Sequence, residues 1–190
     1  DFITKEKYHR KPKNILFLPF DVRRGITKIK QNRNLNFKKS LNKVIKILNE
    51  LSSHKDLNIT IKRKNLNTYY TTLKVDKRIK IEIGGTAKKS INEADIIIGH
   101  NSGSTLEALV NGKYVMVPFF EKKQKLKKYL YKFDNSLIYT SEAKMKKDIL
   151  NLVNKKVKFP LKKVEYDRTI KYYLGNSEKV IQSYVNFLNN

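Results

Sequence analysis

The sequence contains no cysteine and no tryptophan, and it has only 7 Gly and 4 Pro among its 190 residues. Without cysteine there can be neither a disulfide framework nor a thiolate metal site, so we expect a reducing compartment. The scarcity of glycine and proline argues against a low-complexity chain, and the 39% hydrophobic content is typical of a globular protein. A chain of this length can bury a hydrophobic core without covalent staples.

Acidic residues are also few. The 17 Asp and Glu are outnumbered by 42 Lys and Arg, which gives a formal net charge of +25. Only seven of these cations are Arg, whereas base readout and bidentate phosphate clamping rely on Arg. We therefore interpret most of the excess as a Lys-rich surface and expect no nucleic-acid partner. A basic nucleic-acid-binding domain is the alternative from another functional class.

No apolar run reaches the roughly 18 to 20 residues of a membrane-spanning helix, and the first residues are too polar for a signal peptide. We therefore expect a cytoplasmic protein. The basic strip 122–132 holds six Lys and no acidic residue, with apolar residues at helical spacing. It predicts either a peripheral contact with anionic lipid at the inner membrane face or an ordinary surface helix.

Apolar patterns along the chain alternate between strands and helices. The predicted strands are 14–20, 57–61, 79–83, 94–99, 114–120 and 137–139, and the predicted helices are 36–53, 106–111, 142–154, 167–174 and 177–189. This alternation predicts one doubly wound α/β domain over residues 1–190, with a mostly parallel sheet, C-terminal helices and a polar lead-in at 1–13. In such a sheet, ligands bind at the carboxyl ends of the strands.

The turn after the predicted strand 94–99 is the strongest candidate site. It consists of small residues, Ser102, Gly103, Ser104 and Thr105. The free N–H groups and positive dipole end of the helix that follows suit a phosphate. Glu107 is spaced either to accept hydrogen bonds from ribose hydroxyls or to complete a capping box with Ser104, which needs no ligand.

His100 and Asn101 begin the same turn and are further candidates as phosphate donors, or as residues that simply fill the turn. Asp95, at the start of the strand, is assigned to packing and capping. The three histidines of the chain do not share metal-ligand spacing, so we expect no metal.

Two other predicted strands end in cations. Arg23 and Arg24 follow the first strand beside Gly25, and Lys62 follows the second. Guanidinium and ammonium groups at these positions would neutralise a diphosphate. The alternative is ordinary solvated surface charge.

The segment 94–120, ADIIIGHNSGSTLEALVNGKYVMVPFF, resembles the nucleotide-binding C-terminal half of GT-B glycosyltransferases. It is also similar to their relatives, the UDP-N-acetylglucosamine 2-epimerases and CDP-glycerol glycerophosphotransferases, and most similar to bacterial capsule and surface-carbohydrate biosynthesis proteins. The resemblance implies a Rossmann-like domain in which the Ser/Gly turn holds the donor pyrophosphate and Glu107 holds the ribose. The segment 61–64 is similar to a strand-end Lys-Pro motif of the same families, with Arg63 in place of the Pro.

The resemblance implies an enzyme of the bacterial cell envelope. Such a glycosyltransferase moves a sugar or sugar-like group from a nucleotide-activated donor to a glycan or lipid-linked acceptor, in capsule or lipopolysaccharide biosynthesis. The donor would be a substrate, so no cofactor is expected. A nucleotide-sugar 2-epimerase or hydrolase is the alternative, although epimerases carry Ser-Gly-Gly and a Glu-Glu pair where this chain has a single Glu107. Since the chain begins at Asp1, we expect it to lack an N-terminal GT-B half.

Overall fold

The computed structural model describes residues 8–19, 37–64, 74–100, 102–120, 133–159 and 164–174. The strands in these segments are β1 (Tyr8–Arg10), β2 (Asn14–Leu18), β3 (Asn58–Arg63), β4 (Lys80–Ile83), β5 (Ile96–Gly99), β6 (Tyr114–Pro118), β7 (Ile138–Tyr139) and β8 (Val157–Phe159). The α-helices are α1 (Phe37–Leu51), α2 (Lys88–Glu93), α3 (Gly103–Val110), α4 (Glu142–Val153) and α5 (Val164–Leu174). A 3-10 turn, Asn135–Leu137, precedes β7.

Strands β2 to β7 form a six-stranded parallel sheet in the order β4-β3-β2-β5-β6-β7. Counted from β2, this is the 3-2-1-4-5-6 order of doubly wound α/β domains. The predicted fold class is therefore confirmed. The strand order reverses between β2 and β5, so the topological switch point lies between their carboxyl ends.

Alternate residues of the central strands face opposite helical layers. Ile15 and Phe17 pack in one core with residues of α1 and α4. Leu16 and Ile97 pack in the other core, with residues of α2, α3 and α5. Because both faces are covered, these strands are apolar throughout, which explains the continuous apolar runs in the sequence.

The segment predicted as a polar lead-in contains β1, which pairs antiparallel with β8. Just beyond β1, the fully buried Asp95 carboxylate accepts hydrogen bonds from the backbone N–H groups of Lys13, at 2.9 Å, and Asn14, at 3.0 Å. Arg10 of β1 forms an ion pair with its other oxygen. Asp95 therefore ties the segment before β2 to the start of β5, the packing role assigned to it from the sequence.

The observed elements differ from the predicted ones mainly at their ends. Helix α3 begins at Gly103, three residues before its predicted start, and α2 was not predicted. Strand β3 continues to Arg63, two residues beyond its predicted end. The predicted helix 177–189 and the basic strip 122–132 lie outside the described residues. Within the described residues, no helix is both long enough and apolar enough to span a membrane.

Candidate functional site

A cavity of about 340 Å³ opens at the carboxyl edge of the sheet. We call it the switch-point cavity. The residues that line it come from the ends of four strands. They are Leu18 and Pro19 at the end of β2, Lys62, Arg63 and Lys64 at the end of β3, Gly85 and Ala87 after β4, and His100, Ser102 and Ser104 after β5. The cavity thus adjoins the ends of both β2 and β5, which is where open α/β sheets bind their ligands.

A cavity of similar volume lies at the opposite, amino edge of the sheet and includes Arg78, Lys80 and Glu82 in its lining. Two acidic residues, Glu82 and Glu93, also line this amino-edge cavity, whereas no acidic residue is among the described residues that line the switch-point cavity. The switch-point cavity is therefore the better candidate for binding an anion.

The turn between β5 and α3 is ordered by its own side chains. Ser102 is the N-cap of α3, and its Oγ accepts a hydrogen bond from the Thr105 backbone N–H at 3.3 Å. The Thr105 hydroxyl donates to the His100 carbonyl oxygen at 2.5 Å. Because that proton is committed, Ser102 is the donor in the 3.0 Å contact between the two hydroxyls.

This capping pattern rules out one of the two interpretations of Glu107 that the sequence left open. The capping box between Ser104 and Glu107 is wrong, because the helix starts at Gly103 and the cap is Ser102. Among the described residues, the backbone hydrogen bonds of the turn begin with the N–H of Thr105. The N–H groups of Gly103 and Ser104 precede them, and are the donors that a helix N-terminus leaves for a ligand.

Thr105 supports the turn from behind, since it is fully buried and is not among the residues that line the cavity. Gly99 makes room for it. A Cβ at Gly99 would lie 3.0 Å from the Thr105 Oγ1 and 3.6 Å from the Leu18 Cβ. The close packing of β5 against this hydroxyl therefore favours glycine at position 99.

Glu107 lies on α3 with 9% of its surface exposed. Burial raises the pKa of its carboxyl, and the positive charge of Lys88 opposes that shift. Lys88 opens α2, immediately after the cavity wall residue Ala87. Glu107 does not itself line the cavity, and within the described residues no group donates a hydrogen bond to its carboxylate. A buried carboxylate of this kind is suited to accept hydrogen bonds from the hydroxyl groups of a ligand.

Three consecutive cations, Lys62, Arg63 and Lys64, form the β3 wall of the cavity. Sequence reasoning proposed Lys62 and missed Arg63, which is only 8% exposed. The signal was available, because the alternation of buried Ile59 and Ile61 places Arg63 on the buried face once β3 runs two residues further.

His100 lines the cavity and is 7% exposed. Burial lowers the pKa of its imidazole to about 4, so the ring is neutral at pH 7 and can donate a hydrogen bond without carrying charge. The structure thus brings together Lys62, His100, Ser102 and Ser104 from the sequence prediction. The predicted site residues Arg23, Arg24 and Asn101 lie outside the described residues. The described residues contain no group of three or more side chains suited to hold a metal ion.

No protein-family model matches this chain, and a search of curated proteins finds no match. The fold of the chain is similar to that in a crystal structure of a Listeria monocytogenes protein, which is assigned as a UDP-N-acetylglucosamine 2-epimerase. The two share 12% sequence identity with a TM-score of 0.47, and the match covers 90% of this chain and 44% of the other. The chain therefore spans less than half the length of that protein, and the likeness is too distant to transfer an activity.

Proposed function

We propose that the switch-point cavity binds the diphosphate of a nucleotide-activated sugar. The domain would be the donor-binding half of a GT-B-type glycosyltransferase of capsule or lipopolysaccharide biosynthesis. The observation that carries the proposal is that a cationic strand end and a helix N-terminus lie at the same cavity. The enzyme class rests on the resemblance of residues 94–120 to that family.

The charge distribution of the cavity favours a multiply charged anion. Lys62, Arg63 and Lys64 form one wall, and no acidic residue is among the described residues that line it. The other wall is the start of α3, whose N–H groups and dipole attract negative charge. A volume of about 340 Å³ lies within the usual range for small-ligand sites.

Ser104 and the N–H groups at the start of α3 lie at the cavity and would hold the phosphates. Glu107 does not line the cavity, and its proposed role of accepting hydrogen bonds from the ribose rests on the resemblance of residues 94–120. Lys62 and Arg63, with the predicted Arg23 and Arg24, would stabilise the charge that develops on the diphosphate as the glycosidic bond breaks. Catalysis would then depend on positioning and charge complementarity rather than on a covalent nucleophile.

The acceptor is the part of the proposal that this domain does not supply. We expect a glycan or lipid-linked acceptor, and any general base, to be bound by an N-terminal half. Contact of the basic strip 122–132 with anionic lipid would hold the enzyme at the membrane that carries a lipid-linked acceptor.

Isothermal titration calorimetry with UDP, CDP, GDP, CMP and inorganic diphosphate tests the proposal. One nucleoside diphosphate should bind more tightly than inorganic diphosphate. Glu107→Ala should weaken that nucleotide while leaving the affinity for inorganic diphosphate unchanged. Glu93→Ala is the matched control, since Glu93 is an exposed carboxylate on α2.

The proposal fails if no nucleotide binds better than inorganic diphosphate, or if Glu107→Ala lowers only the thermal stability. Binding of generic DNA or RNA with a steep salt dependence, indifferent to Ser104→Ala and Glu107→Ala, would favour a nucleic-acid-binding domain instead. Release of free sugar, or inversion at its C2, without any acceptor would indicate a hydrolase or epimerase.

A further inference from the structure

Glu82 of β4 stands beside the switch-point cavity without lining it. In the parallel ladder it is the register partner of Lys62, and its Oε2 lies 3.5 Å from the Lys62 Nζ. We propose that Glu82 is a positioning residue, which holds the Lys62 ammonium at the cavity wall where it meets a ligand phosphate. This inference rests on the proposed function, because it takes the ligand to be a diphosphate.

The Glu82 carboxylate is itself held in place. Ser90 of α2 donates its hydroxyl to the Oε2 at 2.7 Å, and the Lys80 ammonium lies 2.8 Å from the Oε1. The hydrogen bonds from Lys80 and Ser90 lower the pKa of the Glu82 carboxyl to about 2, so it is ionised at neutral pH. Lys62 therefore faces a fixed anion.

The Lys62 side chain is also close to the turn after β4. Only 14% of that side chain is exposed, and a Cβ on Gly85 would lie 3.9 Å from its Nζ. Gly84 and Gly85 have φ values of +72° and +66°, a conformation that favours glycine. A lysine stem normally samples many rotamers, so this confinement reduces the entropy lost when the ammonium binds a phosphate.

Removing the Glu82 charge has two opposite effects on the binding of an anion. It frees Lys62 to leave the wall, and it also removes a negative charge that repels the ligand. The Glu82 carboxylate lies 3.5 Å from the Lys62 ammonium but does not line the cavity, so it acts on Lys62 at shorter range than on a ligand inside the cavity. We therefore expect the loss of positioning to be the larger effect, and affinity for the diphosphate to fall.

A double-mutant cycle tests this role. Calorimetry with UDP and with inorganic diphosphate is performed on the wild type, Glu82→Gln, Lys62→Ala and the double variant. Glutamine keeps the shape of the side chain and still accepts the Ser90 hydrogen bond, but it removes the charge. Glu82→Gln should raise the Kd for both probes by about three- to tenfold in the presence of Lys62. Once Lys62 is alanine, the same change should no longer weaken binding, because only the removal of repulsion remains.

Equal weakening in both backgrounds would show a merely structural role and overturn the inference, as would an unchanged or tighter Kd in Glu82→Gln. If that variant does not fold, Ser90→Ala replaces it and should weaken binding in the same direction by a smaller factor. The failure of the proposed function can be distinguished from the failure of this inference. If nucleotides bind no better than inorganic diphosphate, the proposed function is refuted, but the double-mutant cycle with inorganic diphosphate still tests the role of Glu82. The absence of any diphosphate binding overturns both.

Discussion

The Thr105 hydroxyl donates a 2.5 Å hydrogen bond to the carbonyl oxygen of His100, and both residues are buried. The bond spans the turn between β5 and α3, and so fixes the N-terminus of α3 relative to the end of β5. Since the proposed phosphate contacts belong to that N-terminus, the geometry of the site depends on a side chain that does not line the cavity.

Thr105→Val should destabilise the domain. Valine fills nearly the same volume but leaves the buried His100 carbonyl without its donor, which costs about 1 to 3 kcal/mol. Urea denaturation measures this cost. Ser104→Ala is the control, because Ser104 lines the cavity and is not needed to close the turn. A Thr105→Val variant as stable as Ser104→Ala would contradict the role given to this hydrogen bond.

Gly99→Ala should also destabilise the domain, by about 1 to 3 kcal/mol. The new Cβ would lie 3.0 Å from the Thr105 Oγ1, which is already held between His100 and Ser102 and cannot easily move. The cost should shrink when Thr105 is also alanine, because the clashing atom is then gone. Strictly additive free energies of unfolding in the double variant would show that the strain lies elsewhere.

Asp95→Asn should cost about 1 to 3 kcal/mol of unfolding free energy, because it removes the ion pair with Arg10 and turns an amide donor toward backbone N–H groups that need an acceptor. The exposed pair of Asp76 and Arg78 supplies the comparison. Asp76→Asn should have a much smaller effect, since exposed ion pairs contribute little. Similar losses in the two variants, measured by chemical denaturation, would refute the role of Asp95 in anchoring the segment before β2.

Stability should fall as the pH decreases from about 6.5 to about 4 because of His100. Burial lowers the pKa of this imidazole in the folded state, so in that window the unfolded chain binds a proton that the folded chain does not. Each pH unit then removes up to about 1.4 kcal/mol. The cations Lys62, Arg63 and Lys64 line the same cavity as His100.

Denaturation at a series of pH values, in wild type and His100→Gln, isolates this effect. Glu107 has a raised pKa and therefore acts in the opposite direction, so the quantity to follow is the difference between the two proteins. That difference should change with pH between about 6.5 and 4 and be constant above about 7. A difference independent of pH would mean that the buried imidazole does not titrate as described.

Patterns with a regular period predicted most of the sheet and its flanking helices, because each central strand and each long helix buries a continuous apolar face. Strand β1 and helix α2 were not predicted, because neither has a local sequence pattern that indicates it. Strand β1 exists through pairing with β8, whose residues lie more than 140 positions away in the chain. Helix α2, with the sequence KKSINE, is short and largely polar, and it forms where Ser90 and Ile91 are buried.

The turn between β5 and α3 was predictable in position and less so in detail. A small-residue turn does follow a buried strand there, but several hydroxyls competed for the N-cap, and Ser102 occupies it rather than Ser104. Arg63 was missed because β3 was predicted to end two residues too early. Glu82 could not be assigned from sequence, because its relation to Lys62 depends on the register of β3 with β4.

The central claim is that the switch-point cavity is where a diphosphate binds. Backbone amide NMR spectra recorded during a titration with UDP test it most directly. The account predicts that the perturbed resonances cluster at Lys62 to Lys64, Gly85 to Ala87 and Ser102 to Thr105. Perturbations centred on the amino-edge cavity, at Asn58 and Ser90, or scattered over the surface lysines, would contradict it.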